Sequence, residues 1–534
     1  MEKNITTAEE LAKLQREISV SEFFLKNRHL LGFDNPRKAL LTVVKECVDN
    51  SLDACQDMKI LPEIKVEIKS TTEGRYLVSV EDNGPGIVKE QVPKVFGKLL
   101  YGSKFHRYRQ SRGIQGIGVS SSVMYGQLTT GKSSKIISRI GPKKKAYYCE
   151  LYVNTKTNEP QIAKEEEVEW HRDHGVKVEI ELEAIYQKGQ KSVDEYIKQT
   201  ALANPHAQFI YKAPDNDKPI KYPRSVAELP KEPKEIKPHP YGVELGVLIK
   251  MLGDTKASTL QGFLTNDFCR VSPKVAKQIC EAAGVYVKSR PSRIARQEAD
   301  NLMKAIKKTK IMAPPTDCLV PIGEESLIKS LKKEIVADFY TATTRSPSVY
   351  RGMPFQIDAG LAFGGGMSAE ELSNVMRFAN RVPLLYQQSA CAITKSILQT
   401  NWRNYGLQQS KGALPIGPLT LFVHIASVWV PFTSESKEAV ASYPEIIDEI
   451  KLALQECGRK LNMYLHKKHS RELEGKKQSY IKKYLPHIGI ALKEIINLDE
   501  KEKQKLLKIL EDMLERSRVK LDTEFNEELA QHEK

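Results

Sequence analysis

The stretch that decides the fold is Leu41-Thr-Val-Val-Lys-Glu46-Cys-Val-Asp-Asn50-Ser-Leu-Asp53-Ala54-Cys55. At about 100° per residue its side chains separate into two stripes. Glu46, Asn50 and Asp53 share one side of the predicted helix, and Leu41, Val44, Val48, Leu52 and Cys55 share the other. A polar stripe of Glu, Asn and Asp opposite an apolar one suits an active-site wall whose back packs on a sheet. Next comes Tyr76-Leu-Val-Ser-Val-Glu-Asp82-Asn83-Gly84-Pro85-Gly86. A β-rich run ends in an acid, and the glycines after it let backbone approach a ligand closely. A third element, Arg112-Gly113-Ile-Gln-Gly116-Ile-Gly118, runs into Val-Ser-Ser-Ser as a glycine-rich loop entering a helix, which suits phosphate.

The order Glu46–Ala54, Asp82–Gly86, Gly113–Gly118 resembles the GHKL ATPases, whose pattern is E-x-x-x-N-x-x-D-A, D-x-G-x-G and a glycine-rich lid. Phe96-Gly-Lys-Leu-Leu-Tyr-Gly-Ser103-Lys104, Lys237–Gly242, Gly360–Gly365, Arg377-Phe-Ala-Asn-Arg-Val-Pro-Leu384 and Ser436-Lys437-Glu438 narrow the likeness. They resemble the B-subunit family of archaeal topoisomerase VI, a type IIB enzyme, as far as about Leu465.

The residues suggest their own chemistry. Glu46 can take a proton from an attacking water. Asn50, one turn on, offers an amide oxygen to Mg²⁺, which shares its shell with phosphates. Asp82 can accept a hydrogen bond from the exocyclic amine of adenine. Backbone N–H groups of Gly113, Ile114, Gln115, Gly116, Ile117, Gly118, Val119 and Ser120 can hold the phosphates. A lysine is still needed for charge developing on the γ-phosphate. The resemblance supplies Lys437 for that role, from a second domain, and places Ser103 and Lys104 at nucleotide-contacting positions. Where the family has Gly-Thr after the lid, this chain has Gly175-Val176, so a hydroxyl is missing.

Net charge is +15 over 534 residues, which points to a polyanion partner. Between Lys231 and Lys310, 16 Lys/Arg stand against 8 Asp/Glu, so more than half the excess sits in one short region. The eight cysteines form no C-x-x-C pair, which suits reduced thiols in the cytosol rather than zinc. No signal peptide opens the chain, and the longest apolar run, Ala413–Phe432, is broken by prolines and reads as a buried strand.

The expected fold is α+β and multidomain. It comprises a strap at 1–20, a GHKL (Bergerat) α/β sandwich at 21–228 and a basic helix-two-turn-helix unit at 229–310. A transducer domain with a long helix follows at 311–483, then a charged helical tail at 484–534. Pro230–Tyr241 reads as a stiff linker, Thr259 and Ser272-Pro273 as helix starts, and Pro486 as an interruption of the long helix. The role of the tail stays open between a docking helix and a solvated appendage. The resemblance implies ATP and Mg²⁺, dimerisation of the chain with itself, an A2B2 heterotetramer with a DNA-cleaving A subunit, and double-stranded DNA. It implies a cytoplasmic, nucleoid-associated location and no membrane. A MutL-like repair clamp and an ATP-dependent DNA scaffold are the competing expectations.

Gly126-Gln-Leu-Thr-Thr-Gly131-Lys132-Ser133 fits a P-loop letter for letter, but a helix is expected before it and a strand after it, the reverse of what a P-loop needs. Lys132→Ala should therefore leave ATP hydrolysis near wild type in a steady-state assay, whereas Glu46→Ala should abolish it.

Overall fold

A computed structural model of the chain describes residues 12, 15, 17–104, 107–113, 116–497 and 499–532. Most of the expected strap falls outside them, residues 12, 15 and 17–20 excepted. After α1 (Val20–Lys26), the stretch quoted above lies within α2 (Pro36–Asp57). The side chain of Asn35 accepts the Lys38 N–H and Pro36 occupies the first turn, so the start is capped. Leu40, Val43, Val44, Val48 and Leu52 are all at most 1% exposed, which fixes which face meets the sheet.

That sheet has eight strands: β1 (Glu63–Thr72), β2 (Arg75–Glu81), β3 (Ser134–Ile140), β4 (Ala146–Asn154), β5 (Glu159–Val168), β6 (His174–Glu183), β7 (Gln208–Lys212) and β8 (Ile220–Tyr222). Their order is β5-β4-β3-β6-β2-β1-β7-β8, antiparallel except for the parallel β1–β7 pair. With α2, the helices α3 (Val92–Gly97), α4 (Gly118–Thr130) and α5 (Val193–Ala203) share the core built on this sheet. The P-loop-like string sits with α4 before it, Gly131 left-handed at φ +73 as its C-cap, and β3 after it. Lys132 pairs on the surface with Glu181 at 2.7 Å.

A helical unit follows, of α6 (Leu245–Asp254), α7 (Leu260–Asp267), α8 (Pro273–Ala283) and α9 (Arg296–Lys308), around its own core of Leu248, Phe263, Ile279, Leu302 and Ile306. Thr259 and Ser272 cap α7 and α8 as the sequence predicts. The proline-rich stretch before it does not stand free. The Lys234 N–H donates to the Asp317 carbonyl and the Ile236 N–H to the Tyr108 carbonyl, so it is pinned to both neighbours.

The second α/β half opens with α10 (Glu324–Glu334). Its sheet contains β9 (Phe339–Thr344), β10 (Ser348–Tyr350), β11 (Met353–Phe363), β12 (Asn374–Ala379) and β13 (Val382–Pro383). After α11 (Ala392–Gln399) and the two-residue β14 (Gln408–Gln409) and β15 (Pro415–Ile416), β16 (Leu419–Ser427) completes the order β10-β11-β16-β12-β13, with β9 on β11. All nine residues of β16 are buried, the polar Thr420, His424 and Ser427 among them. The two halves join through Leu202 and Ala203 of α5, Leu327 and Leu331 of α10, and Phe378 and Phe422 of the second sheet. No helix among the described residues is long and apolar enough to cross a membrane, and all eight cysteines are buried thiols.

The long helix differs from expectation. α12 (Pro444–Ile496) does not break near Pro486 but runs through it, turns at the left-handed Asn497 and is followed by α13 (Glu500–His532), which doubles back on it. An interior proline removes one backbone bond, but packing carries the helix across. Leu485 is 3% exposed, and a Cβ at Gly489 would lie 2.8 Å from Leu507 of α13. Its packed face carries Leu454 and Leu461, both fully buried, while Leu452 is 42% exposed. Leu454→Ala and Leu461→Ala should each cost about 2–5 kcal/mol in urea unfolding, and Leu452→Ala no more than about 0.5 kcal/mol.

Candidate active site

A cavity of about 620 Å³ opens between α2, the glycine-rich loop and two loops of the second half. Glu46, Asn50, Asp82, Ser103, Lys104, Gly113, Gly116, Ile117, Gly118, Val119 and Lys437 all reach its wall, so the structure brings together most of what the sequence singles out. Ile114 and Gln115 lie outside the described residues. Ser120 is turned away: its buried hydroxyl donates to the Ile117 carbonyl, and Ser121 takes the wall position instead.

Asp82 follows directly on β2 and is 4% exposed. Its Oδ1 accepts the Gly84 N–H at 2.9 Å and the Val176 N–H at 3.1 Å, and its Oδ2 accepts the Ser51 hydroxyl at 2.7 Å. Burial pushes its carboxyl up, and these three donors oppose that rise. Val176 contributes its backbone N–H and the Ser51 hydroxyl comes from α2, and together they orient the carboxylate. Gly175 makes the approach possible: it sits at φ +138, and a Cβ there would lie 2.1 Å from the Asp82 carbonyl oxygen.

The start of α4 presses on the wall of α2. A Cβ at Gly118 would lie 1.7 Å from Glu46 Oε2, so only glycine lets the loop and the carboxylate share this space. Asn50 stands one turn on, its amide oxygen 3.6 Å from the position a Cβ would take at Gly113.

Lys437 comes from the far half of the chain. Its backbone is left-handed at φ +54, and its Nζ donates to the Arg112 carbonyl at 3.3 Å. The residue is half-buried with its ammonium end enclosed. Burial lowers its pKa, Lys45 lowers it further, and Glu46 opposes both. The neighbouring Glu438 clasps this loop to α2. Lys38 Nζ lies 2.5 Å from Glu438 and 2.8 Å from Asp34, with both Lys38 and Glu438 largely shielded from solvent. Arg377 holds the facing loop, donating from one nitrogen to the carbonyls of Leu384 and Tyr386.

Asp53, expected only as part of the stripe, is a buried hub. It pairs with Lys104 at 2.8 Å and Arg112 at 2.8 Å, and Arg112 also donates to Gln56 at 2.6 Å and to Asn204. Burial alone would raise the Asp53 carboxyl, but Lys104 and Arg112 hold it down to about 2. Lys104 is therefore committed to a carboxylate as well as facing the cavity. Sequence reasoning missed the roles of Ser51, Lys38, Glu438, Tyr386 and Arg112. Extending the polar stripe of α2 back two turns from Glu46 would have found Lys38; the others carry no local signal.

Asp49, also buried on α2, accepts a hydrogen bond from the Tyr196 hydroxyl at 3.1 Å, and burial pushes its carboxyl up to about 7. The folded state holds that proton until near pH 7, whereas an unfolded Asp loses it near its ordinary value of 3.8. Stability from this group is thus complete below that ordinary value and is lost as pH rises toward 7. Asp49→Asn should escape this loss. In urea unfolding, its stability relative to wild type should rise with pH between about 4 and 7, by a few kcal/mol at most, and then level off.

Residues 35–183 match the family described as histidine kinase-, DNA gyrase B- and HSP90-like ATPase, and residues 314–477 match the topoisomerase VI B subunit transducer. The chain is 51% identical over 493 residues to the B subunit of type 2 DNA topoisomerase 6 from Methanococcoides burtonii, covering 92% of this chain and 79% of that one. Against the proteins of the same name from Archaeoglobus fulgidus and Pyrococcus horikoshii, identity is 48% over 482 residues and 36% over 557. Those alignments cover 90% and 95% of this chain and 80% and 97% of the relatives. With an ATPase core and a transducer in one chain and this identity over nearly its whole length, the chain belongs to the family of type 2 DNA topoisomerase 6 B subunits.

Proposed function

We propose that this chain is the ATP-hydrolysing subunit of a type IIB DNA topoisomerase, and that nucleotide bound in the cavity joins its two α/β halves. The observation that carries this is the reach of Lys437 from the second half to the Arg112 carbonyl, beside Glu46. Asp82 accepts the adenine amine, and its three fixed donors leave it oriented as an acceptor toward the cavity. The backbone N–H groups of the loop from Gly113 and of the first turn of α4 hold the phosphates. Ser103 and Lys104 stand at the cavity's mouth and contact the nucleotide there. Glu46 takes a proton from the attacking water. Lys437 offsets charge developing on the γ-phosphate.

Mg²⁺ suits this donor set. Among the described residues no cluster of three His, Cys, Asp or Glu forms a cage, and Mg²⁺ needs only one or two protein oxygens beside phosphates and waters. Asn50 supplies that oxygen. The ion, when bound, neutralises phosphate charge.

We divide the chain functionally as the sequence suggests: ATPase domain 21–228, DNA-contact unit 229–310, transducer 311–483 and tail 484–534, behind the strap at 1–20. The basic helical unit touches the phosphate backbone of a duplex without reading bases. ATP closes two copies of the chain into a gate. A partner A subunit, in an A2B2 heterotetramer, cuts a second duplex for passage, and the result is relaxation and decatenation. The place of action is the cytoplasm, on nucleoid DNA.

Glu46→Gln should keep ATP binding and ATP-dependent dimerisation but slow hydrolysis by about a hundredfold or more. Mixed with the A subunit, Mg²⁺, ATP and supercoiled DNA, the wild-type chain should relax the DNA. Unchanged supercoils in the presence of a pure, ATP-hydrolysing chain would overturn the proposal.

A further inference from the structure

A second cavity, of about 300 Å³, lies behind the first. Lys104 lines both, and Asp53 and Arg112 line the second from the partition between them. On one side of that partition the Arg112 carbonyl accepts Lys437; on the other its guanidinium lines the rear cavity. The rear wall is completed by Arg381, from the turn between β12 and β13, and by the exposed Lys231 of the proline-rich stretch.

The charges here are not balanced. The carboxylates that line the cavity are already engaged: Asp53 with Lys104 and Arg112, Asp57 with Arg109, and Glu232 with Lys59. Arg381 is 5% exposed, and among the described residues its guanidinium donates to the carbonyls of Ala203 and Pro321. Among the described residues no carboxylate lies within ion-pair distance of it. Burial and the neighbouring Arg112 hold its pKa down to about 10, and the more distant Asp358 carboxylate, beyond His424, only partly opposes them. The Arg112 Nε–H is buried and, among the described residues, has no acceptor. Asn380 and Arg381 both adopt left-handed backbone, at φ +47 and +66, as the two-residue turn between antiparallel β12 and β13 requires, and this turn carries the guanidinium to its place.

A buried cation without a counter-ion is costly. An orphaned N–H beside it adds to that cost. One ligand class relieves both: a compact polyvalent oxyanion, which guanidinium forks bind in bidentate fashion. The first cavity would generate such an anion. We propose that the rear cavity binds the inorganic phosphate cleaved from ATP, which enters past the Lys104–Asp53 pair. This rests on the reading that ATP is hydrolysed in the first cavity.

The test is calorimetric titration of inorganic phosphate into the full chain saturated with ADP, at constant ionic strength. Arg381→Gln should weaken phosphate binding by about tenfold or more, the loss of a charged hydrogen-bonding partner. Lys231→Gln, on the surface and harmless to folding, should weaken it less. ADP affinity, measured alongside, should not change in either variant. The proposal is overturned if the wild-type chain binds no phosphate, or if phosphate affinity survives both substitutions while Lys437→Gln abolishes it, which places the anion in the nucleotide cavity. Should Arg381→Gln lose ADP binding through misfolding, Lys231→Gln decides alone. A wild-type chain that binds ADP but hydrolyses no ATP would instead sink the reading of the first cavity.

Discussion

The constraint on which the rest depends is the placement of one ammonium group. Lys437 belongs to the second α/β half, yet its Nζ must stand at the glycine-rich loop of the first. Flexible lysine chains lose considerable entropy when held, so the protein surrounds this one with restraints. Its own backbone is left-handed. Its neighbour Glu438 is locked to Lys38 of α2 by a largely dry ion pair. The facing loop is tied down by Arg377. The cavity is therefore walled by both halves at once.

Electrostatics around the site follow from the same geometry. α2 carries Glu46, Asp49 and Asp53 on successive turns, three carboxylates that repel one another. The fold treats each differently. Asp53 is neutralised by two cations and stays ionised. Asp49 is given only a tyrosine hydroxyl in a dry setting and keeps its proton toward neutral pH. Glu46 is left half-buried at the cavity wall, facing Lys437. Divergent environments on one helix are how a single element supplies both scaffold and chemistry.

Beyond the site, the joint between halves is both apolar and polar. Phe378 stacks on Phe422 at 4.3 Å within the shared cluster. Alongside it, the Arg381 N–H donates to His424 Nε2 at 2.9 Å, and His424 Nδ1 lies 2.8 Å from Asp358. Asn380 accepts the Ser427 N–H and donates to the Ser111 carbonyl, at the entry to the glycine-rich loop. The second sheet is thus tied by hydrogen bonds to the glycine-rich loop. The long α12, buried against that sheet through Ile450, Leu454 and Leu461, carries the sheet's position outward. A 53-residue helix is a stiff lever, and its passage through Pro486 preserves that stiffness.

The sequence alone determined the α+β class, α2 with one polar and one apolar face, Asp82 at the end of a strand and the glycine-rich entry to α4. These are local signals. Helical periodicity, a strand ending in an acid and glycine spacing act over a few residues and are readable from one chain. Resemblance extended this reading to Lys437, which nothing local distinguishes among so many lysines. Only the tertiary structure decided that Asp53 is a hub for Arg112 and Lys104, that Ser51 donates to Asp82, that Lys38 clasps Glu438 and that Arg381, among the described residues, has no carboxylate at ion-pair distance. It also overruled the local rule at Pro486 and turned Ser120 away from the cavity. The physical reason is the same in each case. Ion pairs and close packing join residues tens to hundreds of positions apart, and their strength depends on burial that no local pattern of residues encodes.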